Sequence, residues 1–353
     1  VVALVLTSVL VMAQSDRPRL RPLNAAAQNA VSGPEVGSRI PAFEALDTNG
    51  MRQTLDTLKG PKGLVLVFTR SADWCPYCKT QLADLNNQLA GFRKRGLNVA
   101  SVSYDSAEIL KTFAGRVGIK YPMLSDPESQ VIRAFGLLNT NIDAKSPQYG
   151  IPFPGTYIVD AKGVITAKYF DDDYRERISA ASILTREFAA DGTLKNVTDN
   201  SQLKLTTSAS DAEVAPGGRI TLVLEIEPKA KMHLYAQGAE HYTPIAWKIE
   251  ESKAFMAFPL AYPAAKMMNL PVIKENVPVY DRKIRLVRDI AVGLDPETAG
   301  TLSTDRTLTV KGSFQYQACD DRECYLPKTL PLEWTLKVGK LDTQRAPESM
   351  QRK

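Results

Sequence analysis

Cysteine is scarce in this 353-residue chain, and none stands alone. The four residues form two tight sets, Cys75 with Cys78 and Cys319 with Cys324, about 240 residues apart. Histidine is scarcer still, with only His233 and His241. Their His-x7-His spacing has no cysteine or carboxylate constellation around it, so no metal site is expected and a Cys–His hydrolase is disfavoured. His233 falls in a strand-like segment and reads as a satisfied structural histidine. Gly-x-Gly-x-x-Gly and P-loop patterns are missing, so no nucleotide cofactor is expected. A block of one charge is missing too. Lys and Arg number 44 against 39 Asp and Glu, for a net charge of +5, and Asp171-Asp172-Asp173 interrupts the basic field. That balance argues against a nucleic-acid partner.

Apolar runs long enough to span a bilayer, ~20 residues, are also lacking. Residues 1–13 come nearest, being apolar apart from Thr7 and Ser8 before the chain turns polar at Gln14-Ser15-Asp16-Arg17. That length suits the apolar part of a signal peptide, and Val11-Met12-Ala13 offers a small-residue cleavage site. Residues 1–13 are therefore read as a signal-peptide remnant. With no cysteine near the cleavage site, a lipid-modified cysteine anchor is excluded. The expected mature protein is exported (periplasmic or equivalent), soluble and without a membrane span, in a compartment where disulfides persist.

The remaining composition is that of a globular protein long enough for two cores, at 44% hydrophobic and 24% charged. Residues 14–35 read as a flexible leader. Over 36–190 apolar strands alternate with amphipathic helices. Leu64 to Phe68 is a continuous apolar run, as in a strand buried on both faces, and Leu82, Leu85, Leu89 and Phe92 form a helical stripe. Residues 99–104 give a second strand and 107–117 a second helix. Pro127 opens a further helix leading into Val131, Ile132 and Phe135. The segments 156–159 and 164–166 form a hairpin, and 174–190 a closing helix. This is an α/β pattern. Residues 191–201 read as a polar linker. Beyond them alternation takes over: Ile220, Leu222, Leu224 and Ile226 face one way, Thr221, Glu225 and Glu227 the other. Leu332, Trp334, Leu336 and Val338 repeat it, so 202–340 is expected to be an all-β sandwich. Residues 341–353 read as a disordered tail.

Neither cysteine set encloses a useful staple. A ring of four to six residues yields only about 2 kcal/mol, against about 4.7 for a 100-residue loop, so redox cycling explains such pairs better than stability. Cys75-Pro76-Tyr77-Cys78 lies at a strand-to-helix junction. Cys75 then sits at a helix N-terminus, where free N–H groups favour a thiolate, and Cys78 one turn inside, placed to resolve it. A plain disulfide and half a zinc site are the competing readings. Trp74 can shield the sulfur; Lys79 and Arg70 add positive field and Asp73 opposes it. Around the second pair, Asp320, Asp321 and Glu323 add negative charge. That raises thiolate cost and favours exchange with a docked partner over scavenging of small oxidants. A structural hairpin disulfide is the alternative there.

Residues 36–190 resemble the thioredoxin-fold redoxins. The likeness rests on Trp74-Cys75-Pro76-Tyr77-Cys78, the strand before it, and Phe153-Pro154-Gly155-Thr156-Tyr157-Ile158-Val159-Asp160. The latter segment looks like the family's cis-proline strand, which implies that Pro154 packs against the cysteines and helps to dock substrate backbones. Ile40-Pro41-Ala42-Phe43 and the insert before Pro154 are similar to the alkyl hydroperoxide reductase/thiol-specific antioxidant branch. Peroxiredoxins of that branch carry a Thr three residues before the peroxidatic cysteine and an Arg beside it. Here Ala72 precedes Cys75 by three, and Cys75 precedes Cys78 by three; Arg70 and Arg133 are the candidate guanidinium groups. Residues 202–338 resemble the amino-terminal immunoglobulin-like domain of DsbD-type thiol:disulfide interchange proteins. That likeness rests on Val214-Ala215-Pro216-Gly217-Gly218, Met232-His233-Leu234-Tyr235, Pro244-Ile245-Ala246-Trp247, and Tyr316 to Cys319 with Cys324 to Pro327. It implies that Cys319 and Cys324 relay electrons.

The sequence thus points to an α/β thioredoxin-like domain followed by an immunoglobulin-like sandwich, with Cys75, Cys78, Cys319, Cys324 and Pro154 as site residues. The expected partners are thiol- or disulfide-bearing exported proteins or peroxides, with a reductant still to be identified. Peroxide reduction and non-enzymatic binding with locked disulfides are the other readings.

Overall fold

The computed structural model describes residues 33–270, 275–293 and 305–352; the expected signal-peptide remnant and most of the leader lie outside them. Among the described residues no helix is long and apolar enough to cross a membrane.

The first unit is built on two ladders that lie side by side. One runs β2 (Arg52–Gln53), β1 (Ala45–Asp47), β5 (Met123–Ser125), β4 (Leu97–Ser103). The other runs β3 (Gly63–Phe68), β6 (Gly155–Asp160), β7 (Ile165–Tyr169). The Thr69 amide donates to Val102 O and joins them where β3 and β4 meet. Leu64, Val65, Leu66, Val67 and Phe68 are all 0% exposed, because side chains on both faces of β3 meet an apolar layer, the pattern of a sheet covered on both sides. One layer holds Leu66, Phe68, Phe135 and Tyr157; the other holds Val65, Val67, Leu82, Phe92 and Ile183. The stripe of Leu82, Leu85, Leu89 and Phe92 is carried by two helices, Pro76–Asn87 and Leu89–Lys94, broken at Gln88, and a further helix runs Ala107–Val117 as expected. Ser106 caps this last helix by accepting the Ile109 amide, and Gly118 ends it at φ 75°, a conformation that glycine adopts without a Cβ penalty. This is an α/β thioredoxin-like fold.

The second unit is all β. One sheet runs β15 (Phe255–Ala257), β18 (Ile284–Val292), β12 (Gly218–Pro228), β10 (Leu203–Ala209), β9 (Thr193–Asp199). A facing sheet runs β11 (Glu213–Val214), β21 (Lys328–Val338), β19 (Thr307–Tyr316), β14 (Ala246–Ile249). Ile220, Leu222, Leu224 and Ile226 meet Val310, Trp334 and Leu336 in one core, as an immunoglobulin-like sandwich requires. A smaller sheet, β16 (Lys266–Leu270), β17 (Glu275–Tyr280), β13 (His233–Tyr235), β20 (Ala318–Cys319), carries the second cysteine pair.

Five expectations are corrected. The helix read over 174–190 starts only at Ala180 and ends at Phe188, capped by Ser179. The residues before it are pulled into the second unit: β8 (Arg177–Ile178) pairs in parallel with Gly218 and Arg219 of β12. The linker read over 191–201 contains β9, whose residues are all exposed, so its ladder to β10 leaves no apolar alternation. Thr221, expected to face outward, is fully buried. Helix Ala180–Phe188 packs over that face, and Thr221 Oγ1 donates to Asp289 at 2.8 Å. Asp289 also pairs with Arg186 and Arg219, each at 2.8 Å, so one buried carboxylate is shared between the two units. The tail read as disordered is laid against the first unit, as described below.

Pro154 closes the list. It is buried and immediately precedes β6, whose Gly155 pairs with Phe68. No described peptide bond is cis, so the cis-proline expectation is replaced by a trans bond. The Phe153 amide donates to Leu137 O and the chain runs extended into β6, with no tight turn to favour the rarer isomer.

Candidate active site

The first pair sits where β3 gives way to helix Pro76–Asn87, as its spacing predicts. Cys75 is the helix N-cap, with extended backbone, and its Sγ accepts the Cys78 amide at 3.3 Å. Pro76 occupies the first helical position, where a missing N–H costs nothing. The two sulfurs are joined, with Cα atoms 5.3 Å apart, and the residues are 1% and 0% exposed.

The approach to Cys75 is fixed from below by Asp105, a residue with no motif to announce it. Its carboxylate accepts Ser71 Oγ at 2.8 Å, the Ala72 amide at 2.7 Å and Ser103 Oγ at 3.0 Å. Burial pushes this carboxyl up to about 6 despite those bonds. Trp74 is held by a 2.8 Å bond from Nε1 to Tyr104 Oη, and the Arg70 guanidinium lies over its ring and over Tyr174.

The guanidinium that meets a cysteine belongs to Arg177, which lies 99 residues downstream on β8. Its Nη2 is 3.9 Å from Cys78 Sγ, its Nη1 donates to Glu176 O, and its Nε has no partner among the described residues. Burial lowers its pKa to about 10, so the group remains a cation at neutral pH. Of the two arginines read as candidates, Arg70 is spent on aromatic faces and Arg133 lies over Tyr149. The Arg177 main chain donates to Gly217 O of the second unit, so the β-sandwich positions the charge beside Cys78. Sequence spacing carried no signal for this pairing.

Lys79, read as a source of positive field, is 1% exposed, and burial lowers its pKa even though Asp342 works against the shift. A cleft of about 590 Å³ opens beside the same helix, between Tyr77, Lys79 and Asp84 on one side and Arg177, Asp211 and Gly217 on the other. There burial first, then Asp211, pushes the Asp84 carboxyl up to about 7, while the Ala180 amide donates to it at 2.6 Å.

The second pair is also joined, at a Cα separation of 4.1 Å, with Cys319 buried and Cys324 exposed. The hairpin-like loop expected from Asp320-Asp321 is closed by Asp320 Oδ1, which accepts the Arg322 and Glu323 amides at 2.8 and 2.9 Å. Those bonds hold the Asp320 carboxyl below its usual range, and Oδ2 takes Tyr325 Oη, so this acid is a brace for the loop. Tyr235 Oη lies 3.0 Å from Cys319 Sγ and 3.4 Å from Cys324 Sγ, with Tyr242 stacked on its ring. Burial raises the phenol pKa, so it stays protonated and can donate to either sulfur. His233 is opposite Cys319 in the β13–β20 ladder. It is buried with Nε2 unpartnered among the described residues, so it is not the satisfied histidine expected, and burial lowers its pKa.

Residues 36–168 match the model of the AhpC/TSA family, and residues 201–333 match that of the N-terminal part of the thiol:disulfide interchange protein DsbD. Over 138 residues the chain is 33% identical to a Mycobacterium tuberculosis protein assigned as a peroxiredoxin, covering 38% of this chain and 83% of that one. The chain belongs to the AhpC/TSA family. It is also 29% identical over 130 residues to the thiol-disulfide oxidoreductase ResA of Bacillus subtilis, covering 36% of this chain and 64% of ResA. Among solved structures, AhpC of Enterococcus faecalis is 28% identical, with 39% of this chain and 81% of that one covered at a TM-score of 0.34. This AhpC/TSA chain, fused to a DsbD-type sandwich, is an oxidoreductase. Within its first unit, residue 72 is Ala and the hydroxyl of the neighbouring Ser71 is turned to Asp105.

Proposed function

We propose that the chain is an exported thiol-disulfide oxidoreductase in which Cys75 and Cys78 exchange with protein disulfides and Cys319 and Cys324 relay electrons. The observation that carries the reading is the seat of the first pair. A nucleophilic sulfur caps a helix, and its partner one turn in lies beside a buried guanidinium. Both features favour thiolates over thiols.

In the reductive direction the Cys75 thiolate attacks one sulfur of a substrate disulfide. A Cys75–substrate bond forms and the other substrate sulfur leaves as a thiolate. Cys78, as thiolate, then attacks Cys75 Sγ, releasing the second substrate thiolate and leaving the Cys75–Cys78 disulfide. Two electrons have passed to the substrate. A dithiol, Cys319/Cys324 or one on another protein, supplies a fresh pair: one of its thiolates attacks the Cys75–Cys78 disulfide, its second sulfur resolves the mixed disulfide, and it is left oxidised while Cys75 and Cys78 regain their thiols. Pro154 immediately precedes β6, whose Gly155 pairs with Phe68 at the end of β3, and this nearness supports a role for it in bordering a docked substrate backbone.

The relatedness to a peroxiredoxin supports a second reading, in which Cys75 attacks a peroxide. Ala72 at the position of the branch's Thr, and an arginine against Cys78 instead of Cys75, favour disulfide exchange. A third reading, a binding protein with locked disulfides, is separated by thiol labelling across a redox titration. A binder's pairs would resist reduction at potentials near about −270 mV, the thioredoxin value. The relay itself is tested with Cys319→Ser/Cys324→Ser: turnover at the wild-type rate with every candidate reductant would remove it.

A further inference from the structure

Residues 339–352 leave the sandwich and run over the first unit. Two buried charges that bracket Cys75, Asp73 two residues before it and Lys79 four after, meet them there. Asp73 is 2% exposed, and its carboxylate accepts Arg345 Nε at 3.1 Å and the Ala346 amide at 2.7 Å. Lys79 Nζ donates to Gln344 O at 2.6 Å and lies 3.7 Å from Asp342. Arg116, at the end of helix Ala107–Val117, pairs with the other Asp342 oxygen at 2.5 Å. Farther on, the Arg352 guanidinium lies over Tyr104, the residue that holds Trp74.

The side-chain hydrogen bonds and ion pairs that Asp73 and Lys79 make among the described residues all go to this segment. A buried ammonium and a buried carboxylate without partners are strongly disfavoured. With the segment in place both charges are covered, and it supplies the partners that their burial demands. Half of what the first unit reads is main chain: one carbonyl by Lys79 and one amide by Asp73. The other half is one carboxylate by Arg116 and Lys79 and one guanidinium by Asp73. That is a recognition surface for an extended segment with an acidic residue three positions before an arginine, tolerant of what lies between. The resident segment has a single three-residue turn, Glu348–Met350, and its residues are mostly exposed.

We infer that Asp342–Ala346 occupies a peptide-docking groove of the redoxin unit, which in the working protein receives an extended segment of the disulfide-bearing partner in its place. This rests on the disulfide-exchange reading for its purpose but not for its test. The probe is a fluorescent synthetic peptide of residues 340–353, added to full-length protein, to a chain ending at Lys340, and to full-length Arg345→Ala. Anisotropy reports binding without any redox step. The peptide should bind the shortened chain, and bind the full-length chain at least about tenfold more weakly because the resident segment competes. Full-length Arg345→Ala should fall between them, and a peptide with Asp342 and Arg345 both replaced by Ala should lose binding. Failure to bind a shortened chain that keeps the wild-type thermal transition overturns the groove, as does equal binding to the shortened and full-length chains. Should the shortened chain misfold, equal binding to full-length wild type and Arg345→Ala overturns it instead. Binding as expected by a protein that cannot reduce any disulfide would keep the groove and reject the exchange reading.

Discussion

The two cysteine pairs are alike in being closed and short-looped, yet opposite in setting. Cys75 and Cys78 are buried at the head of a helix, beside one guanidinium that the second unit holds in place. Cys319 and Cys324 are on a small sheet and a braced loop, with Cys324 exposed and a protonated phenol as the polar group at both sulfurs. The first setting stabilises a thiolate but restricts who can reach it. The second is open to partners but offers a neutral donor and an acidic rim. A dithiol that selects its substrates and a dithiol that is reloaded by another protein would differ in this way.

Replacing cysteines should break the comparison most. Cys75→Ser should lower the rate of peptide-disulfide reduction by at least about a thousandfold, since the attacking sulfur is gone. Cys324→Ser should leave that single-turnover rate within about twofold and stop only regeneration through the sandwich. Stopped-flow mixing of pre-reduced protein with an oxidised peptide measures both.

Next in size is the charge at Cys78. Arg177→Gln should slow closure of the Cys75–Cys78 disulfide at pH 7 by about tenfold or more, the effect of removing an opposite charge some 4 Å from a thiolate. The loss should shrink as the pH is raised and Cys78 ionises unaided. A pH profile that merely drops at every pH would make Arg177 a packing residue.

Tyr235→Phe should act only on the second pair. Losing a hydrogen bond to a thiolate, about 1.5 kcal/mol, penalises the reduced form, so the Cys319/Cys324 potential should fall by about 30 mV. Equilibration with a glutathione buffer reads that shift, and the Cys75/Cys78 potential should not move.

The smallest effect concerns the contact between the units. Asp84 is pushed up to about 7, so the folded state holds its proton where the unfolded chain, near 3.8, has lost it. Folding therefore suffers no penalty from Asp84 below pH 3.8, loses stability as pH rises from about 4 to 7, and carries the full loss above 7. Asp84→Asn removes this, keeping an oxygen for the Ala180 amide. It should raise Tm by a few degrees at pH 8 and by less at pH 5. An equal gain at both values would contradict the assignment.

How far the sequence led depended on whether the physics was local. Helix Ala107–Val117 lies where the sequence pattern put it, and Cys75 caps its helix as the strand-to-helix junction required. The inward residues of β12 were legible from alternation, but burial of Thr221 was not, because it comes from a helix of the other unit. The same holds for Arg177: nothing within its own segment hints that pairing with Gly218 and Arg219 carries it to Cys78. The tail was misread for the same reason. A polar, unpatterned segment lacks apolar anchors, yet here the anchors are ionic and sit some 270 residues away, at Asp73 and Lys79.

The most direct test follows Trp74 fluorescence in the stopped-flow instrument, with fully reduced protein mixed in parallel with an oxidised peptide and with hydrogen peroxide. The account predicts fast quenching or enhancement with the peptide disulfide, and a peroxide rate no greater than that of a free thiol. A peroxide reaction orders of magnitude above a free thiol, with a sluggish response to the disulfide, would contradict it and make the first pair a peroxidase.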